Sequence, residues 1–98
     1  MLHTVNKSPF QNMALENCLR FTQSGDVILL MEDGVYGAVS GTAKSPLVES
    51  ALAKKIKVYA LGADLKARAL GETIQGVEVT DYSGFVDLVE ANRIHSWL

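Results

Sequence analysis

A single cysteine, two prolines and one tryptophan stand among the 98 residues. One thiol excludes an internal disulfide framework and any cysteine-rich metal site. The longest uninterrupted apolar run, Val27–Met31, has five residues, far short of the roughly 18–20 that cross a bilayer. The opening MLHTVNKSP has neither a basic start nor an apolar core of signal-peptide type. Nine Lys+Arg face eleven Asp+Glu, a net charge of −2. No basic block occurs, so direct contact with nucleic acid is not expected, because that contact needs clustered cations to displace counterions. Neither GxGxxG nor GxxxxGK followed by Ser or Thr is present, which leaves no recognisable phosphate loop. The two histidines lie far apart and far from the cysteine, so no metal and no cofactor is expected.

What is present is a high apolar fraction, 48%, which excludes intrinsic disorder. The length allows one domain, residues 1–98, and no more. The expected setting is the cytoplasm, with no membrane association.

Short apolar segments alternate with amphipathic ones. Met1–Val5 reads as a strand, and Ser8-Pro9 as the start of a helix running to about Gln23, with Gly25 closing it. Asp26–Met31 is apolar on both faces, as strands are in a parallel sheet covered on both sides. Glu32-Asp33-Gly34 breaks the pattern before a short helix at Val35–Val39. Pro46–Lys54 is a second helix, Lys55–Leu61 a strand, and Asp64 caps a helix to about Leu70. Val77–Thr80 is a short strand, and Asp81 caps a last helix over Tyr82–Ala91. The residues after it read as a tail. The order predicts an α/β fold, a small three-layer sandwich around a mainly parallel sheet of four or five strands. In such sheets sites form at the carboxyl ends of strands, which directs attention to Asn6–Pro9, Glu32–Gly34, Gly62–Asp64 and Asp81–Gly84.

Cys18 is the one candidate nucleophile. Stepping about 100° per residue along the first helix places it inside the apolar arc with Ala14 and Leu15, away from Glu16 and Arg20. Two readings stand side by side: a small buried hydrophobe, or a reactive thiol near a crevice or a neighbouring subunit. The second needs a nearby cation or a helix N-terminus to lower its pKa, and mid-helix placement supplies neither. Only His3 or Lys7 remains to approach it through the fold. His3, between Leu2 and Thr4, reads as a hydrogen-bonded structural residue, and His95 as solvated. Glu32 and Asp33 are adjacent carboxylates that a capped turn explains. Trp97-Leu98 reads as a contact with another subunit or as packing on its own domain.

Several segments taken together carry a resemblance. They are Met1-Leu2-His3-Thr4 with Ser8-Pro9, Gly25–Leu30 with Asp33-Gly34-Val35, Tyr59-Ala60-Leu61 with Asp64-Leu65 and Ala67-Arg68, Asp81-Tyr82 with Phe85-Val86, and Trp97. In that order they resemble the DsrH/TusB family of sulfur-relay proteins along the whole chain. The resemblance implies a small parallel α/β subunit of a heterohexamer built with DsrE/TusD-like and DsrF/TusC-like chains. That complex passes persulfide sulfur between small carriers of the DsrC/TusE and TusA kinds. The principal sulfur-accepting cysteine lies on the DsrE/TusD-like chain. The resemblance makes Cys18 a candidate secondary persulfide acceptor. A cysteine in the first helix is a DsrH feature, so the expected branch is dissimilatory sulfur oxidation. The alternatives are a TusB-like subunit serving 2-thiouridine synthesis in transfer RNA, and a purely structural subunit.

Overall fold

A computed structural model describes residues 1–98. Ten elements follow one another: β1 (Leu2–Val5), α1 (Ala14–Phe21), β2 (Val27–Leu30), a 3₁₀ segment (Glu32–Ala38), α2 (Ser45–Ala53), β3 (Lys57–Leu61), α3 (Gly62–Ala67), β4 (Glu78–Thr80), α4 (Tyr82–Ala91) and β5 (Ile94–Trp97). The five strands form one sheet in the order β4-β3-β2-β1-β5. Every pairing is parallel, which settles the strand count at five.

The topology explains the layers. Strands β1 to β4 step in one direction across the sheet. Right-handed crossovers therefore place α1, the 3₁₀ segment, α2 and α3 on one face. The return from β4 to β5 crosses the whole sheet in the opposite sense, and its helix, α4, lies on the other face. Alternation along the strands sorts the side chains. Val5, Ile28, Leu30, Val58 and Ala60 point to the four-element face and join a core of 15 buried residues. Leu2, Val27 and Leu29 point to the α4 face and form a buried cluster of three, with Tyr59, Phe85, Leu88 and Val89 packed against it. The molecule is the expected three-layer sandwich, with layers of very different depth.

Three local expectations change. The first helix starts at Ala14 rather than Pro9. Ser8 accepts the Phe10 N–H within a turn, and Asn12 Oδ1 accepts the Ala14 N–H at 2.7 Å, so Asn12 holds the helix start. Asp64 lies in the first turn of α3 rather than at its cap. The supposed tail is strand β5. Leu2–Val5 pair with Ile94–Trp97 in register, and that partner is supplied by residues more than 90 positions away, out of reach of any local pattern. Asp81 caps α4 as expected, accepting the Gly84 N–H at 2.8 Å.

Candidate functional site

Cys18 lies in the middle of α1 and is completely buried. It belongs to the 15-residue core, beside neighbours such as Ala14 and Leu15. Burial pushes its thiol up to about 12, and the negative charge of Asp26 adds to the effect. Both causes act against the thiolate, which is the nucleophilic form. Neither cation named from the sequence offsets them. Lys7 is exposed on the loop after β1, and His3 is fully engaged elsewhere.

His3 is buried, at 3% exposure, and both its ring nitrogens are occupied. Trp97 Nε1–H donates to Nδ1 at 3.0 Å. A nitrogen that accepts carries no proton, so the proton sits on Nε2, which donates to Asp26 Oδ2 at 3.0 Å. The ring is thus a neutral bridge between a carboxylate and an indole, with no lone pair left to serve a nucleophile. Partial burial works against ionisation of Asp26. The Gln23 N–H, the His3 ring and the N-terminal ammonium overcome it and hold the carboxyl below its ordinary range.

The bridge locks three distant parts of the chain together. Trp97 packs against the large core and stacks on Phe21 at 5.6 Å and on His95 at 4.5 Å between ring centroids. The indole therefore packs on its own domain, as one of the two readings expects. Leu98 alone projects into solvent. His95, expected to be solvated, remains exposed but is one side of this stack.

The carboxyl ends of the strands hold the other candidates. Arg68 pairs with Asp33 at 2.9 Å and reaches Asp64 at 3.7 Å. Asp64 Oδ2 accepts the Glu32 N–H at 2.7 Å. Glu32 takes a left-handed backbone, φ +50°, and its carboxylate accepts from Asn6 Nδ2 at 3.4 Å. Asn6 Oδ1 is buried without a partner. Gly34 brings the 3₁₀ segment directly against the carbonyl of Val5. Glu32, Asp33, Asp64 and Arg68 thus tie β1, β2 and β3 together at that end. Arg68 engages the Asp33 and Asp64 carboxylates, while the Glu32 carboxylate meets only the Asn6 amide, so structural bonds account for the Glu32-Asp33 pair although one cation does not balance the three acids.

The feature that sequence reasoning missed lies on the opposite face. A groove of about 540 Å³ runs between α4 and the β1–β5 side of the sheet. Tyr82, Phe85, Val86, Val89 and Glu90 form its wall, and Thr4, Ile94 and Ser96 its floor. Tyr82, Val86, Val89 and Glu90 follow helical spacing on α4, which was a legible signal once β5 was known to lie beneath them.

Comparison with known proteins gives a consistent answer. The family model described as "DsrH like protein" matches residues 7–94. The Protein TusB of Serratia proteamaculans is 40% identical over 99% of this chain and 100% of its own length. That of Escherichia coli K12 is 42% identical over 90% of each chain. Among solved structures, the ychN protein from E. coli superposes with a TM-score of 0.81 over 97% of both chains at 18% identity. Protein Tm0979 from Thermotoga maritima gives 0.64 over 94% of both at 26%. These likenesses confirm the parallel α/β fold. No helix of the chain is long and apolar enough to cross a membrane.

Proposed function

The chain belongs to the DsrH family, and from that premise we propose that it serves as a TusB-like subunit of a sulfur-relay complex that supplies sulfur for 2-thiouridine in transfer RNA. The observation that carries this reading is the 40% identity with a Protein TusB across essentially the full length of both chains. The cysteine in α1 suggested sulfur oxidation instead; the names of the relatives favour the transfer-RNA branch. The partners in this reading are DsrE/TusD-like and DsrF/TusC-like chains in a heterohexamer, with TusA-like and DsrC/TusE-like carriers before and after it, in the cytoplasm. The slightly acidic composition suits delivery to protein carriers rather than contact with RNA.

The chain's contribution in this reading is to build and shape the complex. A sulfur-accepting role for Cys18 belongs to it only with an opening of α1 that exposes the thiol. The step itself is simple. The Cys18 thiolate attacks the outer sulfur of a donor persulfide, the donor S–S bond breaks, the donor leaves as a thiolate, and Cys18 becomes the persulfide. Treatment of the assembled complex with a persulfide donor, followed by mass analysis, reads this as a gain of one sulfur on Cys18. Absence of the adduct leaves the chain a structural role.

The wider reading is tested by complementation. In this reading an E. coli strain deprived of its Protein TusB is deficient in 2-thiouridine, and this chain, expressed with its own partner chains, is expected to restore it. Unchanged loss of the modified nucleoside, with the complex expressed and folded, contradicts the assignment.

A further inference from the structure

We propose that the groove beside α4 receives an α-helix of a different chain, apolar on the face it presents and flanked by Lys or Arg. The proposal rests on the reading of this chain as one subunit of a hetero-oligomer, and it names the face used and the chemistry of what fits there.

The first argument is width. Five strands spaced about 4.8 Å apart make a face of roughly 20 Å, and one helix with its side chains covers about half of that. Four elements close the opposite face. Here α4 alone packs over the residues of β2 and β3 and the amino end of β1, namely Val27, Leu29, Tyr59 and Leu2. The strip over β5 and the carboxyl half of β1 is left bare, and one more helix is what would complete the layer.

The second argument is surface character. No residue of α4 is buried, although Phe85, Val86, Leu88 and Val89 lie on it. Tyr82 is 72% exposed, Ile94 47% and Val86 37%. On the floor Thr4 Oγ1 donates to Ser96 Oγ at 3.1 Å, which leaves the Ser96 O–H as the one hydroxyl donor that an incoming chain must satisfy.

The third argument is charge, and it selects the occupant. Residues 81–92 contain Asp81, Asp87 and Glu90 and no Lys or Arg. Asp81 is engaged in capping α4, while Asp87 and Glu90 are exposed, and Glu90 lines the groove itself. Arg93 adjoins Ile94 at the amino-terminal end of β5, Lys57 stands at the same end of β3 and Lys7 follows β1 at the other end; none of the three lines the groove. A second copy of this chain would set Asp87 and Glu90 against their own equivalents, and like charges brought together oppose association. A helix edged with cations is attracted instead.

The test co-expresses the full chain with its DsrE/TusD-like and DsrF/TusC-like partners and measures co-elution and affinity. Val86→Arg and the double change Asp87→Lys with Glu90→Lys are expected to weaken association at least tenfold. Both should leave the melting temperature of the chain near that of the wild type, because the altered side chains are exposed. Glu49→Lys, on α2 across the sheet, is expected to leave association unchanged. Wild-type affinity in both groove variants overturns the proposal, as does loss confined to Glu49→Lys, or a homodimer that the groove variants abolish. A wild-type chain that ignores both partners defeats the hetero-oligomer reading. The groove is then judged alone, by titrating the chain with amphipathic helical peptides of Leu/Lys or Leu/Glu composition. Selective shifts of the Val86, Glu90 and Ile94 amide resonances by the Leu/Lys peptide support it; equal response to both peptides overturns it.

Discussion

The two faces of the sheet are built from the same strands and end in different states. On one, four elements bury a core of 15 residues around Leu15, Cys18, Ile28 and Leu30. On the other, a single helix shelters three. The central strand is apolar on both faces: β2 is buried at all four positions. The asymmetry therefore comes from topology. The chain steps three times in one direction and returns once, so it has only one crossover helix for the second face. Exposed apolar residues remain on both sides, Phe21 on α1 as well as Tyr82 and Val86 on α4, but α4 is the one helix with no buried residue at all to set against them. The sole thiol sits in the closed layer, so chemistry at Cys18 and assembly through α4 draw on opposite sides of the molecule.

The largest expected effect separates the two faces by truncation. Leu15→Ala should destabilise the isolated chain by about 2–5 kcal/mol, as a buried leucine does when it leaves a cavity. Val86→Ala should cost less than about 0.5 kcal/mol, as exposed substitutions do. Urea titration of both variants reads the contrast, and equal losses would break it.

Two glycines sharpen it further. A Cβ on Gly34 collides with the Val5 carbonyl, which is backbone and cannot turn aside, whereas one on Gly84 in α4 meets the Thr80 hydroxyl, which can rotate away. Gly34→Ala should cost about 1–3 kcal/mol through overpacking. Gly84→Ala should fall near zero, because gained helix propensity of about 1 kcal/mol offsets the local shift. Thermal melts of the pair test this.

The next effect reads the closed layer by pH. Cys18 has its pKa raised to about 12 in the folded chain, against about 8.5–9 in the unfolded one. Above pH 9 the unfolded state loses a proton that the folded state keeps. Stability therefore falls with rising pH, by about 1.4 kcal/mol per pH unit from this group, until the folded pKa is passed. Cys18→Ala should lack that component of the alkaline slope. In the same experiment the native thiol should resist alkylation at pH 8 and react once urea unfolds the chain. Rapid native labelling would mean that the layer opens.

The smallest effect lies at acid pH. The Asp26 pKa is lowered from 3.8 in the folded state, so its contribution is present above about pH 4 and is lost as pH falls through the folded value. Asp26→Asn should flatten the acid limb of the stability profile and alter the alkaline limb only slightly, since burial is the larger of the two causes that raise the Cys18 pKa and the Asp26 charge the lesser.

Much of this was legible in the sequence, and the rest was not for identifiable reasons. The short, mostly apolar β1, the alternation of Ile56, Val58 and Ala60 with Lys57 and Tyr59 at β3, the continuous apolar β2 and the Asp81 cap are local signals, and they located the elements. The helical wheel placed Cys18 among core residues before any tertiary contact was known. The start of α1 misled because Ser8-Pro9 carries the chemistry of a helix start, while Asn12 provides the bond that counts. Strand β5 was hidden because IHSW is short, largely polar and exposed; it becomes a strand only by pairing with β1. The His3 bridge was hidden for the same reason, since its partners Asp26 and Trp97 stand 23 and 94 residues away. The groove depends on both, because its floor is β1 and β5.

Hydrogen exchange on the chain, alone and in complex with its partner chains, tests the central asymmetry most directly. Added protection is expected over residues 82–97, spanning α4 and β5, with α1 and α2 unchanged from the free chain. Protection gained over α1 and α2, with residues 82–97 still exchanging as in isolation, would contradict it.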